Sequence, residues 1–223
     1  MKNVLTTLTL VLILASCSNS PETETGEMRT LQLLKQASNK SKGSEVFIDA
    51  RNLLSREQVD AAKMPVLFVE LASGQNGTLT PYPGQGDGQT WLGVDGATIT
   101  MEQGILKASR GMGDDLMGSS SSMPSWAKIN KNLQAHGRKF RYIDGNNKIL
   151  ERSFDCSIKK NDQKEIIKIW DVEFLVTKFE ENCNSNGIEI TNIFYVDIEG
   201  VVRKSSQYHS DTTGYIVTER LDR

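Results

Sequence analysis

The chain has 223 residues, of which 38% are hydrophobic and 24% charged, the make-up of one ordinary globular domain with a sizeable core. Its 26 basic and 28 acidic side chains leave a formal charge of −2, so no basic field exists to hold nucleic acid. Two histidines and three cysteines without a C-x-x-C pair lack the ligand spacing of a metal centre, and neither a metal nor a cofactor is expected.

The first segment is a leader. Lys2 supplies a positive start, and an apolar run from Val4 to Ala15, broken only by Thr6, Thr7 and Thr9, ends in Leu14-Ala15-Ser16-Cys17. A bilayer span needs about 18 or more consecutive apolar residues, so this run reads as a secretory signal peptide rather than a span. The tetrad matches the lipobox, where a peptidase cuts before a cysteine whose thiol already carries a diacylglycerol. Residues 1–16 are then removed and Cys17 becomes the lipidated first residue; an ordinary secreted protein with a free cysteine is the competing reading. A single acyl chain binds a membrane marginally, whereas several hold effectively permanently. Ser18 stands where an aspartate would retain an enterobacterial lipoprotein in the inner membrane, so the resemblance to sorted lipoproteins implies the outer membrane. Residues 17–44 read as a tether, polar through Ser18 to Glu27 and interrupted by Pro21 and Gly26, with Met28 to Lys35 either a short helix or more tether.

Residues 45–223 read as a single β-rich domain. Ser55 with Gln58 three residues on forms a capping box, and Val59, Ala61 and Ala62 continue a helix of about two turns that Pro65 ends. Trp126, Ile129 and Leu133 follow Pro124 at helical spacing and suggest a second helix. The rest speaks of strands. Asn76-Gly77, Asp95-Gly96, Asp144-Gly145 and Asn186-Gly187 are dipeptides that favour tight turns between antiparallel strands. Val66, Leu67, Phe68, Val69 and Leu71 are apolar and predict a strand buried on both faces, whereas Trp170, Val172, Phe174 and Val176 alternate with polar residues, as do Ile188, Ile190, Phe194, Val196 and Ile198. The fold class is all-β, an antiparallel barrel-like or two-sheet meander with two or three short helices, since many strands in one sheet must hide their edges.

With Cys17 spent on lipid, Cys156 and Cys183 remain in an oxidising compartment and predict a disulfide, with two buried thiols as the alternative. Gly111-Met112-Gly113-Asp114-Asp115 puts two carboxylates on a glycine-rich loop, a pattern open to calcium or to a glycosidase. The plainer reading makes Asp114 a cap and Gly111 or Gly113 a turn. His136 and His209 have no serine or cysteine partner motif and read as surface residues. Trp91, Trp126 and Trp170 fit core packing or stacking on a sugar, and Trp91, beside a turn, is best placed for the second role. No nucleophile elbow, P-loop, HExxH or dinucleotide glycine motif is present, so no catalytic residue is assigned.

Several stretches carry a family resemblance: Leu54-Ser55-Arg56-Glu57-Gln58-Val59, Thr90-Trp91 before Asp95-Gly96, Gly104-Ile105-Leu106, and Gly111 to Leu116. Tyr195-Val196-Asp197, Gly200 to Tyr208 and Ile216-Val217-Thr218 extend it. Over roughly residues 45 to 221 the chain resembles the YjbF/GfcB family of group 4 capsule lipoproteins, which often has tryptophan where this chain has Tyr195 and Tyr208. The resemblance implies a barrel-like β fold, outer-membrane attachment facing the periplasm, and a non-catalytic accessory role in producing or exporting exopolysaccharide or capsule. Its partners would be the membrane, through the lipid, and a polysaccharide or a component of the export machinery. Trp91, Asp95, Asp114 and Asp115 are the candidate glycan or partner contacts. The alternative is a periplasmic glycan-processing enzyme using the carboxylates of the Gly113-Asp114-Asp115 loop.

Overall fold

A computed structural model of the chain describes residues 48–83, 88–121, 126, 133–143, 146 and 148–223. The leader, Cys17, the tether and the Asp144-Gly145 turn lie outside the described residues.

A 3-10 turn at Ala50–Leu53 leads into the helix α1, Arg56–Ala62. Both halves of the capping box are formed: Ser55 Oγ accepts from Gln58 N at 3.2 Å, and Gln58 Oε1 accepts from Ser55 N at 2.8 Å. The helix stops at Lys63 in the left-handed region, two residues before Pro65. The expected second helix does not extend to Leu133, which opens a strand; Ile129 lies outside the described residues.

Twelve strands follow among the described residues: β1 Leu67–Leu71, β2 Asn76–Tyr82, β3 Gln89–Gly93, β4 Thr98–Glu102, β5 Ile105–Arg110, β6 Leu116–Ser121, β7 Leu133–Ile143, β8 Ile149–Ile169, β9 Val172–Ser185, β10 Ile188–Asp197, β11 Val202–Ser210 and β12 Gly214–Arg220. All form one antiparallel sheet in the order β5-β4-β3-β2-β1-β12-β11-β10-β9-β8-β7-β6. The sheet is an up-and-down meander curled into a nearly closed barrel, joined by the β1–β12 ladder. Odd-to-even turns gather at one mouth, even-to-odd turns at the other.

Tight turns sit at Asp95-Gly96 and Asn186-Gly187; Gly96 has φ +89°, and Asn186 and Gly187 have φ +49° and +83°. Asn76-Gly77, by contrast, lies within β2. The turn falls just before it, with Leu71 N donating to Gln75 O at 2.8 Å and Gly74 at φ +86°. Asn76 Oδ1 instead accepts from Ala50 N at 2.7 Å and ties the 3-10 turn to the barrel.

β1 is buried on both faces. Leu67 and Val69 point into the barrel core, while Val66 and Phe68 pack outward with Val59 of α1, Ala50 and Leu221. Burying a side chain such as Phe68 stabilises by roughly 1.5–3 kcal/mol. Its outer cluster is completed by the far end of the β8–β9 hairpin, where Ile169, Trp170 and Phe174 join it. Trp170 is not part of the alternating strand: it sits in the hairpin turn at φ +54°, under the Arg56 guanidinium 4.5 Å away, and Arg56 is paired with Asp171.

Cys156 and Cys183 face each other across the β8–β9 ladder and are bonded, closing a loop with a sequence separation of 27. Replacing both by alanine is expected to lower the urea-unfolding free energy by about 3 kcal/mol. An unchanged unfolding midpoint, or two alkylatable thiols in the native protein, would contradict this.

Candidate functional site

Strand alternation sends a set of polar side chains inward. His136 and Arg138 on β7, Glu181 on β9, Asn192 on β10, and Ser205 and Gln207 on β11 all enter the barrel between apolar neighbours. Glu181 is wholly buried, and its carboxylate accepts from His136 Nε2 at 2.7 Å, from Asn192 Nδ2 at 2.5 Å and from Arg138 Nη1. A charge in this position is tolerable only when paired and hydrogen-bonded. Burial pushes the Glu181 carboxyl up, but the Arg138 charge and the bonds from His136 and Asn192 outweigh it and hold it at about 2.

The layer continues across the lumen. Asn192 Oδ1 accepts from Tyr208 N at 2.6 Å, and Gln207 reaches the opposite wall. There its Oε1 accepts from Leu106 N and its Nε2 donates to Gly104 O, each at 2.9 Å. Those backbone groups belong to β5 and the turn before it, at the edge of the sheet. Between β5 and β6 no ladder forms among the described residues, and side chains span the seam instead. Leu116 N donates to Ser109 Oγ at 3.0 Å, Ser119 Oγ to Leu106 O at 2.6 Å, and Arg110 Nη1 to Leu116 O at 2.9 Å. Gly104 is a glycine for two reasons: its φ is +81°, and a Cβ there would lie 2.4 Å from Val202.

Both histidines are interior, not surface. His136 is held on Glu181 as described, and His209 is fully buried with Nε2 2.7 Å from Ser109 Oγ. Burial pushes the His209 imidazole down, against the raising influence of Asp115 and Asp114. His136, Cys156 and Glu181 bring donor atoms within 4.8 Å of one another, but Cys156 is bonded to Cys183 and Glu181 is engaged by Arg138.

The four candidate contacts are not gathered in one place. Trp91 is only 4% exposed, with the Arg220 guanidinium 5.2 Å from its ring, so it is a core residue rather than an open platform. It forms part of the wall of a cavity of about 600 Å³ at the even-to-odd mouth, together with Gln89, Met101, Gln103, Thr218 and Arg220. Trp126 closes one side of that cavity, packed on Phe179 and Phe194 and donating Nε1 to Gln103 O at 2.6 Å. Asp95, Asp114 and Asp115 lie at the other mouth. Asp95 Oδ1 accepts from Ala97 N at 3.0 Å, and Asp115 Oδ1 from Met112 N at 3.3 Å, so the loop is capped by Asp115 and not by Asp114, which is exposed. A second cavity of about 340 Å³ opens beside Asp95, with Ile48, Leu71, Ala97 and Met112 in its wall. Nearby, Asp211 is held at about 2 by bonds from Arg152 and Tyr208.

The sequence reasoning missed the polar layer. Its signal was the period of two: Glu181 sits between Phe179 and Cys183, and Asn192 between Ile190 and Phe194, each at an inward position.

The outer wall is charged. Lys139, Arg141 and Glu151 form exposed ion pairs on the outward faces of β7 and β8, as Lys178 and Glu180 do on β9. These features define a small antiparallel barrel with a packed, partly polar interior and a solvated exterior. The chain matches the family model described as group 4 capsule polysaccharide lipoprotein gfcB, YjbF, over residues 34–221, and it belongs to that family. It is similar to the crystal structure of the hypothetical lipoprotein YmcC from Escherichia coli (K12), at 18% identity and a TM-score of 0.64 over 84% of this chain and 93% of that one. An exported protein with a YmcC-like fold from Bacteroides fragilis NCTC 9343 aligns at 11% identity and a TM-score of 0.32, over 71% of this chain and 93% of that chain. No curated protein matches. The chain is thus a capsule-polysaccharide-associated lipoprotein by family, with the barrel fold of YmcC.

The ordinary carboxyl value of 4.5 lies above the folded value of Glu181, so its contribution to stability is complete above about pH 4.5 and is lost as pH falls towards 2. Glu181→Gln is expected to cost roughly 3–5 kcal/mol at pH 7 by leaving Arg138 unpaired, and to flatten the stability profile between pH 4.5 and 2. Denaturant unfolding at stepped pH measures both; a variant whose profile parallels the parent's would refute the assignment.

Proposed function

We propose that the chain is an outer-membrane lipoprotein, held on the periplasmic side by lipid on Cys17, that serves capsule or exopolysaccharide production or export as a non-catalytic accessory factor. The observation that carries this reading is the barrel wall. Outward Arg and Lys cost about 2–4 kcal/mol each at the centre of a bilayer, so the charged faces of β7, β8 and β9 are built for water. Among the described residues no helix is long and apolar enough to cross a membrane either. Attachment then falls to the leader cysteine, which agrees with the family match.

The accessory role is supported by the use to which the carboxylates are put. Asp95 and Asp115 spend oxygens on backbone amides of their own turns, which is structural work. Asp114 remains outward at that mouth, available to a partner, and the cavity at the other mouth, with the buried Trp91 in its wall, offers a second place for one.

Chromosomal Cys17→Ser, with residues 1–16 replaced by a leader that the general signal peptidase removes without lipidation, tests the reading. The variant is expected to move from the membrane fraction to the soluble periplasmic fraction and to lower cell-associated polysaccharide towards the level of the gene deletion. Unchanged attachment, or unchanged polymer in the deletion itself, would overturn it.

A further inference from the structure

Ladder register brings together what sequence spacing keeps apart. His136 of β7 lies directly opposite Cys156 of β8, and Cys156 directly opposite Cys183 of β9, so the three form one inward row. Opposed residues on one face of a ladder keep their Cβ atoms about 4.5–5.5 Å apart, near enough for their side chains to share an ion. Glu181 stands beside the row, two residues before Cys183, and His136, Cys156 and Glu181 bring one donor atom each within 4.8 Å of one another. The row is out of water: Cys156 and Cys183 are 5% and 3% exposed, and the side chain of His136 is 2% exposed.

His136 is held as a metal-binding histidine is held. Ligating imidazoles characteristically donate one ring N–H to a carboxylate and turn the other nitrogen to the ion. An ionised carboxylate only accepts, so Nε2 supplies the proton of the 2.7 Å bond to Glu181 Oε1. Nδ1 is the nitrogen left over, buried and without a hydrogen-bond partner among the described residues. Buried polar atoms are nearly always satisfied, and an orphan of this kind beside two sulfurs points to a missing ligand.

While the sulfurs are bonded to each other they have no thiolate to give. The donor set is complete in a new chain before oxidation, or once a dithiol reductant passes two electrons and two protons to the disulfide and itself becomes a disulfide. A divalent ion then displaces the two thiol protons to solvent and binds both thiolates. One dication with two thiolates adds no net charge, as the disulfide adds none, so the buried balance of Glu181 with Arg138 is kept. Two sulfurs and an imidazole nitrogen are zinc ligands, which tetrahedral zinc at about 2.0–2.3 Å from each holds roughly 3.5–3.8 Å apart. Side-chain rotation is enough to bring the row to that spacing.

We propose that the reduced chain binds one zinc-class ion through His136 Nδ1, Cys156 Sγ and Cys183 Sγ, with Glu181 as the carboxylate behind the histidine, so that an ion replaces the disulfide as the clasp across β7, β8 and β9.

The test uses the full chain carrying Cys17→Ser, which leaves Cys156 and Cys183 as its only cysteines, reduced with a phosphine in mild denaturant and refolded without oxygen. Cobalt(II) is the probe. The reduced protein is expected to take one ion per chain with thiolate-to-cobalt charge-transfer absorption and tetrahedral visible bands, all lost when zinc is added; the oxidised protein is expected to show neither. X-ray absorption at the cobalt edge of this same protein is expected to count two sulfurs and an imidazole. His136→Gln is expected to weaken cobalt binding by at least about tenfold with the circular dichroism of the refolded chain unchanged, and Cys156→Ala with Cys183→Ala to abolish it. A folded reduced chain that lacks the charge-transfer band, a cobalt shell without sulfur or imidazole, or a His136→Gln variant that binds as tightly as the parent overturns the site. A reduced chain that stays unfolded in zinc overturns it as well, because an ion gripped by three strands would restore the fold.

Discussion

A single buried carboxylate organises this barrel. Glu181 is removed from water by the strands on either side, and its charge can be kept there only because Arg138, His136 and Asn192 converge on it from β7 and β10. Those partners fix the relative positions of three strands. Through Asn192 and Tyr208 the order passes to β11, where Gln207 extends across the lumen to the exposed backbone of β5. An uncovered edge with free amides and carbonyls invites pairing with another chain. Here the edge is covered from within, and Ser109, Ser119 and Arg110 complete the seam to β6. Twelve strands close without a twelfth ladder because buried side chains stand in for it.

Local chemistry was legible in the sequence wherever a short-range rule decides the outcome. Ser55 and Gln58 gave the helix start, Asp95-Gly96 and Asn186-Gly187 gave turns, and the apolar run Val66 to Val69 gave a strand covered on both sides. Legibility failed where tertiary contacts override local preference. Asn76 looks like a turn residue, but its side chain is drawn to Ala50 and the turn moves upstream. Trp170 looks like a strand residue, but Arg56 and the outer cluster hold it in a hairpin turn. Both histidines look like surface residues, because nothing local reveals that Glu181 and Ser109 wait for them from strands 45 and 100 residues distant. The candidate contacts are set apart by tertiary structure: Trp91 packs under Arg220 at one mouth, and the three aspartates sit at the other.

The division of the molecule into wall, interior and mouths bears directly on function. Among the described residues the interior is filled by apolar clusters and by the polar layer around Glu181. The wall carries exposed ion pairs on β7, β8 and β9 beside the apolar pair Ile166 and Leu175. One mouth holds the Trp91 cavity and the other Asp114 and the second cavity. This arrangement agrees with a family known by its association with capsule polysaccharide.

Hydrogen exchange at the Leu106 amide, followed by NMR in the parent and in Gln207→Leu, tests most directly whether the polar layer closes the barrel. The account predicts that this edge amide is protected in the parent to within tenfold of ladder amides of β4, and that the substitution accelerates its exchange at least a hundredfold while amides around Cys156 and Cys183 are little changed. A Leu106 amide that exchanges in the parent like an open loop, or one indifferent to the loss of Gln207, would contradict it.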